Sequence, residues 1–267
     1  MSLDRGIVGR VEGPLTQSWT LDDVARYAEA VGAPDPERVV PTFAIVLAEF
    51  GGPQLGLPGA DMTQVLHAEQ SVELFGVLPV QGEVRVTRTV TDLLDKVSGA
   101  LVARECEAVD PATGLVRFRT RSSLFVRGEG GFGGERGTSS RVAFPDRDAD
   151  VVLRYRTAPD QALRYRQTGD RNPMHWDPAF AARGGFPRPI LHGLATYGIT
   201  CRLLADEFGE PSAMHGRFTS PMFPGDELAV SAWRDGDRVL FRTATADGTV
   251  VIDDGRVHLR SSQLVSG

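Results

Sequence analysis

A chain of 267 residues that is 41% hydrophobic can bury one large core or two modest ones, so its composition excludes disorder and favours about two domains. A formal charge of −6 argues against a general affinity for nucleic acid, while leaving room for a local basic patch that faces a phosphate. No apolar run approaches bilayer-spanning length, residues 1–20 lack a secretory pattern, and the end Leu264-Val265-Ser266-Gly267 is not a Ser-Lys-Leu address, so a cytoplasmic protein with no membrane partner is expected.

Thr20, followed by Asp22 and Asp23, starts a helix in which Leu21, Val24, Ala25, Ala28 and Val31 recur at helical spacing until Gly32, a short surface helix. Residues 42–50 read as a second, apolar helix closed by Gly51-Gly52. Strands follow at 62–74, 82–94, 98–108 and 115–126, with Asp110-Pro111-Ala112-Thr113-Gly114 as one of the turns. A stretch rich in Gly, Ser, Arg and Asp at 127–150 then connects two halves, 1–126 and 151–267. In the second half Asp177-Pro178 caps a short helix, and residues 190–208 form a longer one with Leu194, Tyr197, Cys201, Leu204 and Phe208 on one face. Strands at 213–222, 226–234, 238–246 and 249–260 turn at Asp235-Gly236-Asp237 and Asp247-Gly248. The halves share a pattern: His67-Ala68-Glu69, Pro79 and Gly82-Glu83 parallel His215-Gly216-Arg217, Pro224 and Gly225-Asp226. Two copies of one α+β unit are implied. Cys106 and Cys201 fall in a strand and a helix, and are expected to be free buried thiols.

The chemistry concentrates in the run from Tyr165 to Pro178. Gly169 permits a backbone conformation that other residues resist, Asn172 can cap the turn that follows, and Pro173 suits the first position of a short helix. Asp170 at the end of the loop and His175 one turn into that helix can converge on one point, as acid and base around a water. A loop cap and a surface histidine are the plain alternative for the short motif alone. His192-Gly193 stands at the start of the long helix, where backbone N–H groups are free to meet an anion or a polarised carbonyl; close helix packing would also account for the glycine. The run Gly128-Glu129-Gly130-Gly131-Phe132-Gly133 fits a dinucleotide fingerprint in spacing, but no helix pattern opens after it, so it reads as a shaped crossing loop. No clustering of His, Cys or carboxylates resembles a zinc or iron site, and no serine or cysteine has the partners of a nucleophile. His215 and His258 sit in strands and receive no role.

The run Tyr165, Thr168-Gly169-Asp170, Asn172-Pro173-Met174-His175 and Asp177-Pro178 resembles the signature of the hydratase 2 family, the R-specific enoyl-CoA hydratases among the MaoC-like dehydratases. The likeness continues through Pro189-Ile190-Leu191-His192-Gly193-Leu194 and Arg217-Phe218-Thr219-Ser220-Pro221. The first half resembles the N-terminal half of the two-repeat enzymes at Pro41-Thr42-Phe43, His67-Ala68-Glu69-Gln70, Asp95-Lys96-Val97-Ser98-Gly99 and Phe125 to Gly134. The resemblance implies a double hot-dog fold and reversible hydration of a trans-2-enoyl-CoA to the (R)-3-hydroxyacyl-CoA, with no cofactor, a non-catalytic N-terminal repeat that makes acyl-chain room around residues 42–50, and a homodimer. It further implies that Asp170 and His175 activate water, that the Gly193 amide binds the thioester oxygen, and that Asn172, His192, Tyr165, His67 and Glu69 surround the substrate, with Tyr27 and Asp150 at similar positions. Between Gly32 and Pro41 the chain is shorter than eukaryotic relatives, and Val97-Ser98 replaces a common Lys-Gly-like pair, so their chain-length preference does not transfer. A biosynthetic dehydratase acting on a carrier-protein-bound or unusual acyl thioester would use the same residues. A non-catalytic acyl-CoA-binding protein would not need both Asp170 and His175, and a hot-dog thioesterase would release free CoA.

Overall fold

The computed structural model describes residues 2–51, 56–138 and 141–260; Gly52 and the terminal run 264–267, both read above, lie outside the described residues. The chain forms β1 (Val11–Trp19), α1 (Leu21–Ala30), α2 (Phe43–Glu49), β2 (Val65–Leu74), β3 (Gly82–Asp95), β4 (Gly99–Val109) and β5 (Val116–Arg127). It continues through β6 (Val151–Arg156), α3 (Gln161–Arg166), α4 (Pro178–Arg183), α5 (Gly193–Phe208), β7 (Pro211–Phe218), β8 (Glu227–Asp235), β9 (Arg238–Thr245) and β10 (Val250–Leu259). All strands belong to one sheet, in the order β1-β3-β4-β5-β2-β7-β10-β9-β8-β6. Read outward from the centre, β2-β5-β4-β3-β1 on one side mirrors β7-β10-β9-β8-β6 on the other. The mirror line falls where β2 pairs antiparallel with β7, Glu69 opposite Arg217 and Ser71 opposite His215. These are the two segments whose residues repeat in the sequence.

Each half of the sheet wraps an apolar helix, which makes the fold an α+β double hot dog. Helix α2 packs on β4 and β5, and α5 packs on β6, β7 and β8. In α2 every residue from Phe43 to Ala48 is buried. Around α5 burial extends beyond the stripe read from the sequence to Ala195, Gly198, Ile199 and Thr200: Thr200 Oγ1 meets Thr243 Oγ1 of β9 at 3.1 Å, and Gly198 faces the end of α1. A Cβ at Gly198 would lie 2.6 Å from Val31 Cγ1 and 2.7 Å from the Tyr27 hydroxyl. Helix α1 is therefore no surface appendage: Val24, Tyr27 and Ala28 are core, and the Tyr27 hydroxyl donates to Thr42 Oγ1 at 2.9 Å.

Sequence reading missed β1, β6 and α3. Gly13-Pro14 interrupts the apolar pattern of β1, yet β1 is an edge strand whose pairing with β3 is irregular between Glu12 and Leu15, where a proline costs no ladder bond. Helix α5 also begins three residues later than the periodicity suggests, at Gly193 rather than 190. The Ile190 and Leu191 amides are donated instead to Met174 O at 3.3 Å and Met222 O at 2.7 Å. Both cysteines are free and buried. Among the described residues no helix is long and apolar enough to cross a membrane.

The glycine run after β5 turns its amides on a side chain. Asp95 Oδ1 accepts from Val97 N and Gly131 N, and Oδ2 from Gly133 N, each at 2.8 Å. Those bonds, that from Gly131 first, hold the carboxyl down at about 2, against an ordinary 3.8. A pKa depressed in the fold stabilises above the ordinary value, and that stability is lost as pH falls from about 4 through about 2. Asp95→Asn puts a donor where Asp95 accepts, so its Tm is expected to fall below wild type at neutral pH and converge with it near pH 2. Parallel Tm curves for the two proteins across that window would remove this account of the loop.

Candidate active site

The loop between α3 and α4 is built around Gly169. Its φ of +121° lies where side chains are strained, and a Cβ there would sit 2.7 Å from Phe50 Cβ at the end of α2. Glycine thus lets the loop press on α2 and delivers Asp170 beside it. Beyond it, Asp170 Oδ1 accepts from Asn172 N at 3.1 Å, and Asn172 Oδ1 caps the turn Pro173–His175 through Met174 N at 3.1 Å. Asp177 Oδ1 then caps α4 from Ala179 N at 2.8 Å. Three consecutive caps make the loop stiff.

His175 Nδ1 lies 2.9 Å from the Ile190 carbonyl, which can only accept, so Nδ1 carries the proton and Nε2 keeps its lone pair. The His175 ring stacks on His192, centroids 3.7 Å apart and planes 27° from parallel. His192 in turn lies 4.9 Å from the Tyr165 ring, and Tyr165 meets Tyr27 edge-on at 6.1 Å. This column backs His175 from behind. The side-chain ligand atoms of Asp170, His175 and His192 all lie within 4.8 Å of one another. Burial raises Asp170, with His175 opposing, and lowers His175, with Asp170 opposing. Burial and then the neighbouring His175 hold His192 well below its ordinary value, so the stack is neutral.

A metal would need these donors to aim at one point. Near-parallel stacked rings direct their nitrogens along parallel lines, and His175 Nδ1 is already committed to Ile190, so the cluster suits a water between a carboxylate and an imidazole better than a cation.

Asp170, Asn172, His175 and Gly193 line one cavity of about 1700 Å³, together with His67 and Glu69 from β2. Tyr165 and His192 are not among the residues that line it: at 1% exposure each they pack behind His175, between the loop, α1 and α5. Tyr27 belongs to the same buried column, and Asp150 pairs with Arg147 and the Arg234 amide away from the cavity. His67 donates Nε2–H to Glu69 O at 3.0 Å, and burial pushes it down to about 4, leaving it neutral. His215, given no role above, lies 3.4 Å from Asp254, and both face the cavity. Lys96, Arg121, Arg141 and Arg256 also line it, Arg121 and Arg141 being exposed. Glu49 and Arg104 also line it, and sequence reading missed both. Their only signal was a charge at the end of the apolar run of α2 and an arginine in an otherwise inward strand position.

Gly193 is the first residue of α5, so its N–H has no acceptor within the helix. A Cβ on it would approach the Phe218 ring to 3.2 Å, so close packing is one reason for glycine. The free amide beside the dyad is a second property of the same position.

Residues 141–255 match the family described as the MaoC like domain, and residues 18–128 match the MFE-2 hydratase 2 N-terminal domain. The chain is 40% identical to the enoyl-CoA hydratase ChsH3 of Mycobacterium tuberculosis over 265 residues, 90% of this chain and 92% of that protein. It is 38% identical to the 3-hydroxyacyl-thioester dehydratase Y of the same organism over 285 residues, 96% of this chain and 98% of that one. A MaoC-like dehydratase structure from Phytophthora capsici superposes with a TM-score of 0.85 at 27% identity, covering 98% of this chain and 99% of that chain.

Proposed function

The chain belongs to the MaoC-like hydratase 2 family in its two-repeat form and is a hydro-lyase of acyl thioesters, and from that premise we propose that it adds water to a trans-2-enoyl-CoA to give the (R)-3-hydroxyacyl-CoA, and removes it in reverse. The observation that carries this reading is the pairing of an accepting His175 Nε2 with the Asp170 carboxylate at a cavity wall beside the Gly193 amide.

One water donates a hydrogen bond to each acceptor, the Asp170 carboxylate and His175 Nε2. His175 Nε2 takes a proton as the water oxygen bonds to C3, and charge moves through the conjugated system onto the thioester oxygen. The Gly193 N–H stabilises that oxygen, a contact whose loss costs roughly 3 kcal/mol. The dyad then returns a proton to C2, restoring both groups. Asn172 keeps Asp170 in place through its amide. The N-terminal repeat supplies acyl-chain volume and no chemistry, with Glu49 and Phe50 closing that side. The basic residues that line the cavity, Lys96, Arg121, Arg141 and Arg256, favour CoA, whose phosphates they can meet, and the enzyme is read as a cytoplasmic homodimer with no nucleic-acid or membrane partner. Likeness to a thioester dehydratase supports one second reading, a carrier-protein thioester as substrate at the same dyad.

Chiral analysis of the product from crotonyl-CoA tests the proposal: the expected product is the R isomer with no free CoA released. An S product would exclude this arrangement, and release of CoA without hydration would mark a thioesterase instead. A carrier-linked substrate hydrated in strong preference to CoA would favour the second reading.

A further inference from the structure

Glu49 ends a helix whose preceding residues, Phe43 to Ala48, are buried, with Glu49 alone charged among them. Its Oε2 accepts from Arg104 of β4 at 2.9 Å and its Oε1 from Ser122 of β5 at 3.3 Å. Both charged side chains retain only 12% of their surface, and both line the cavity that holds Asp170 and His175. Stability does not explain the pair, because Coulomb attraction barely offsets the desolvation of two charges and an apolar pair of the same volume is often as stable. A plain hydrocarbon chain lying against it would strip its remaining water and offer nothing in return. An oxygen on the chain would replace that water.

We infer that the acyl group of the substrate carries a neutral oxygen, a hydroxyl or a ketone, bound by Glu49 and Arg104. This rests on the enoyl-thioester reading above. A hydroxyl satisfies both partners, donating to the carboxylate and accepting from the guanidinium, while a ketone can only accept from Arg104. A carboxylate tail is disfavoured, since it would add a third anion beside Glu49 and Asp170. Phe50, the next residue, is the one against which Gly169 packs, so the pair stands close to the dyad loop. The oxygen therefore belongs on the part of the chain near the reacting bond rather than at the end of a long tail.

The test compares kcat/KM of the enzyme for trans-2-octenoyl-CoA with analogues carrying a hydroxyl or ketone on each successive carbon beyond the double bond. At one position the oxygenated substrate is expected to be favoured by roughly 10- to 100-fold. In the double variant Glu49→Leu with Arg104→Met that ratio is expected to fall to about one; Glu49→Gln with Arg104→Gln makes the same comparison should the apolar pair fail to fold. Hydration of the plain chain at least as well as every oxygenated analogue overturns the inference and leaves the enoyl-CoA reading standing. Hydration of none of them overturns both.

Discussion

Asp170→Asn and His175→Ala are each expected to lower kcat/KM for enoyl-CoA hydration by roughly 10²- to 10⁴-fold, the range of a lost general acid or base. The double variant is expected to fall little further, because the two groups act on one water and their losses do not add. Asp170→Asn is the cleaner of the two. Its Oδ1 still accepts from the Asn172 amide at 3.1 Å, so the loop keeps its cap while the ionisable oxygen is gone. Burial raises the pKa of Asp170, so its active ionised form is lost on acidification at a pH above the usual carboxylate range. The acid limb of the wild-type profile therefore reports the Asp170–His175 pair, and in the asparagine variant it is expected to move to lower pH, because the carboxylate that raises the pKa of His175 is gone and His175 remains the base. His175→Ala also removes the bond to Ile190 O, and Tm measurement separates that structural loss from the catalytic one. Unchanged turnover in either folded variant would remove the dyad from the mechanism.

Gly193→Pro is expected to lower kcat by roughly 10²- to 10³-fold, while Gly193→Ala loses far less. Proline at the first position of a helix costs no intrahelical bond, and the residue before it must be extended, as His192 already is at φ −55° and ψ 129°. Both substitutions place a Cβ about where the Phe218 ring must shift by a few tenths of an ångström, 3.2 Å from Cε1. Only proline deletes the N–H. The comparison within this pair isolates the amide from the packing, and equal activity in the two variants would show that the glycine serves Phe218 alone.

Much of this site was legible in order of residues because its geometry is local. Asn172, Pro173 and Asp177 are capping residues with fixed reach, so the turn that carries His175 could be drawn from spacing, and Gly169 marked the bend before Asp170. The strands of both halves were legible through alternation and turn residues, and the mirrored sheet order follows from the repeated segment that became β2 and β7. Edge strands were not. β1 carries a proline pair and β6 is only Val151–Arg156, and neither must satisfy the two-sided burial that makes inner strands conspicuous. Contacts between distant segments were also beyond spacing: the column Tyr27, Tyr165, His192, His175 joins α1, α3 and the start of α5, and residue order alone carried no sign that these rings stack behind one another. The same limit hid Glu49 and Arg104, which are 55 residues apart and meet only because α2 lies across β4.

The central claim is that one water, gripped by Asp170 and His175 on a single face of the substrate, supplies both the hydroxyl and the proton. Hydration of crotonyl-CoA in deuterium oxide, followed by determination of the configuration at C2 and C3, tests it most directly. Deuterium at C2 on the same face as the new hydroxyl at C3 is the expected result; deuterium on the opposite face would contradict it.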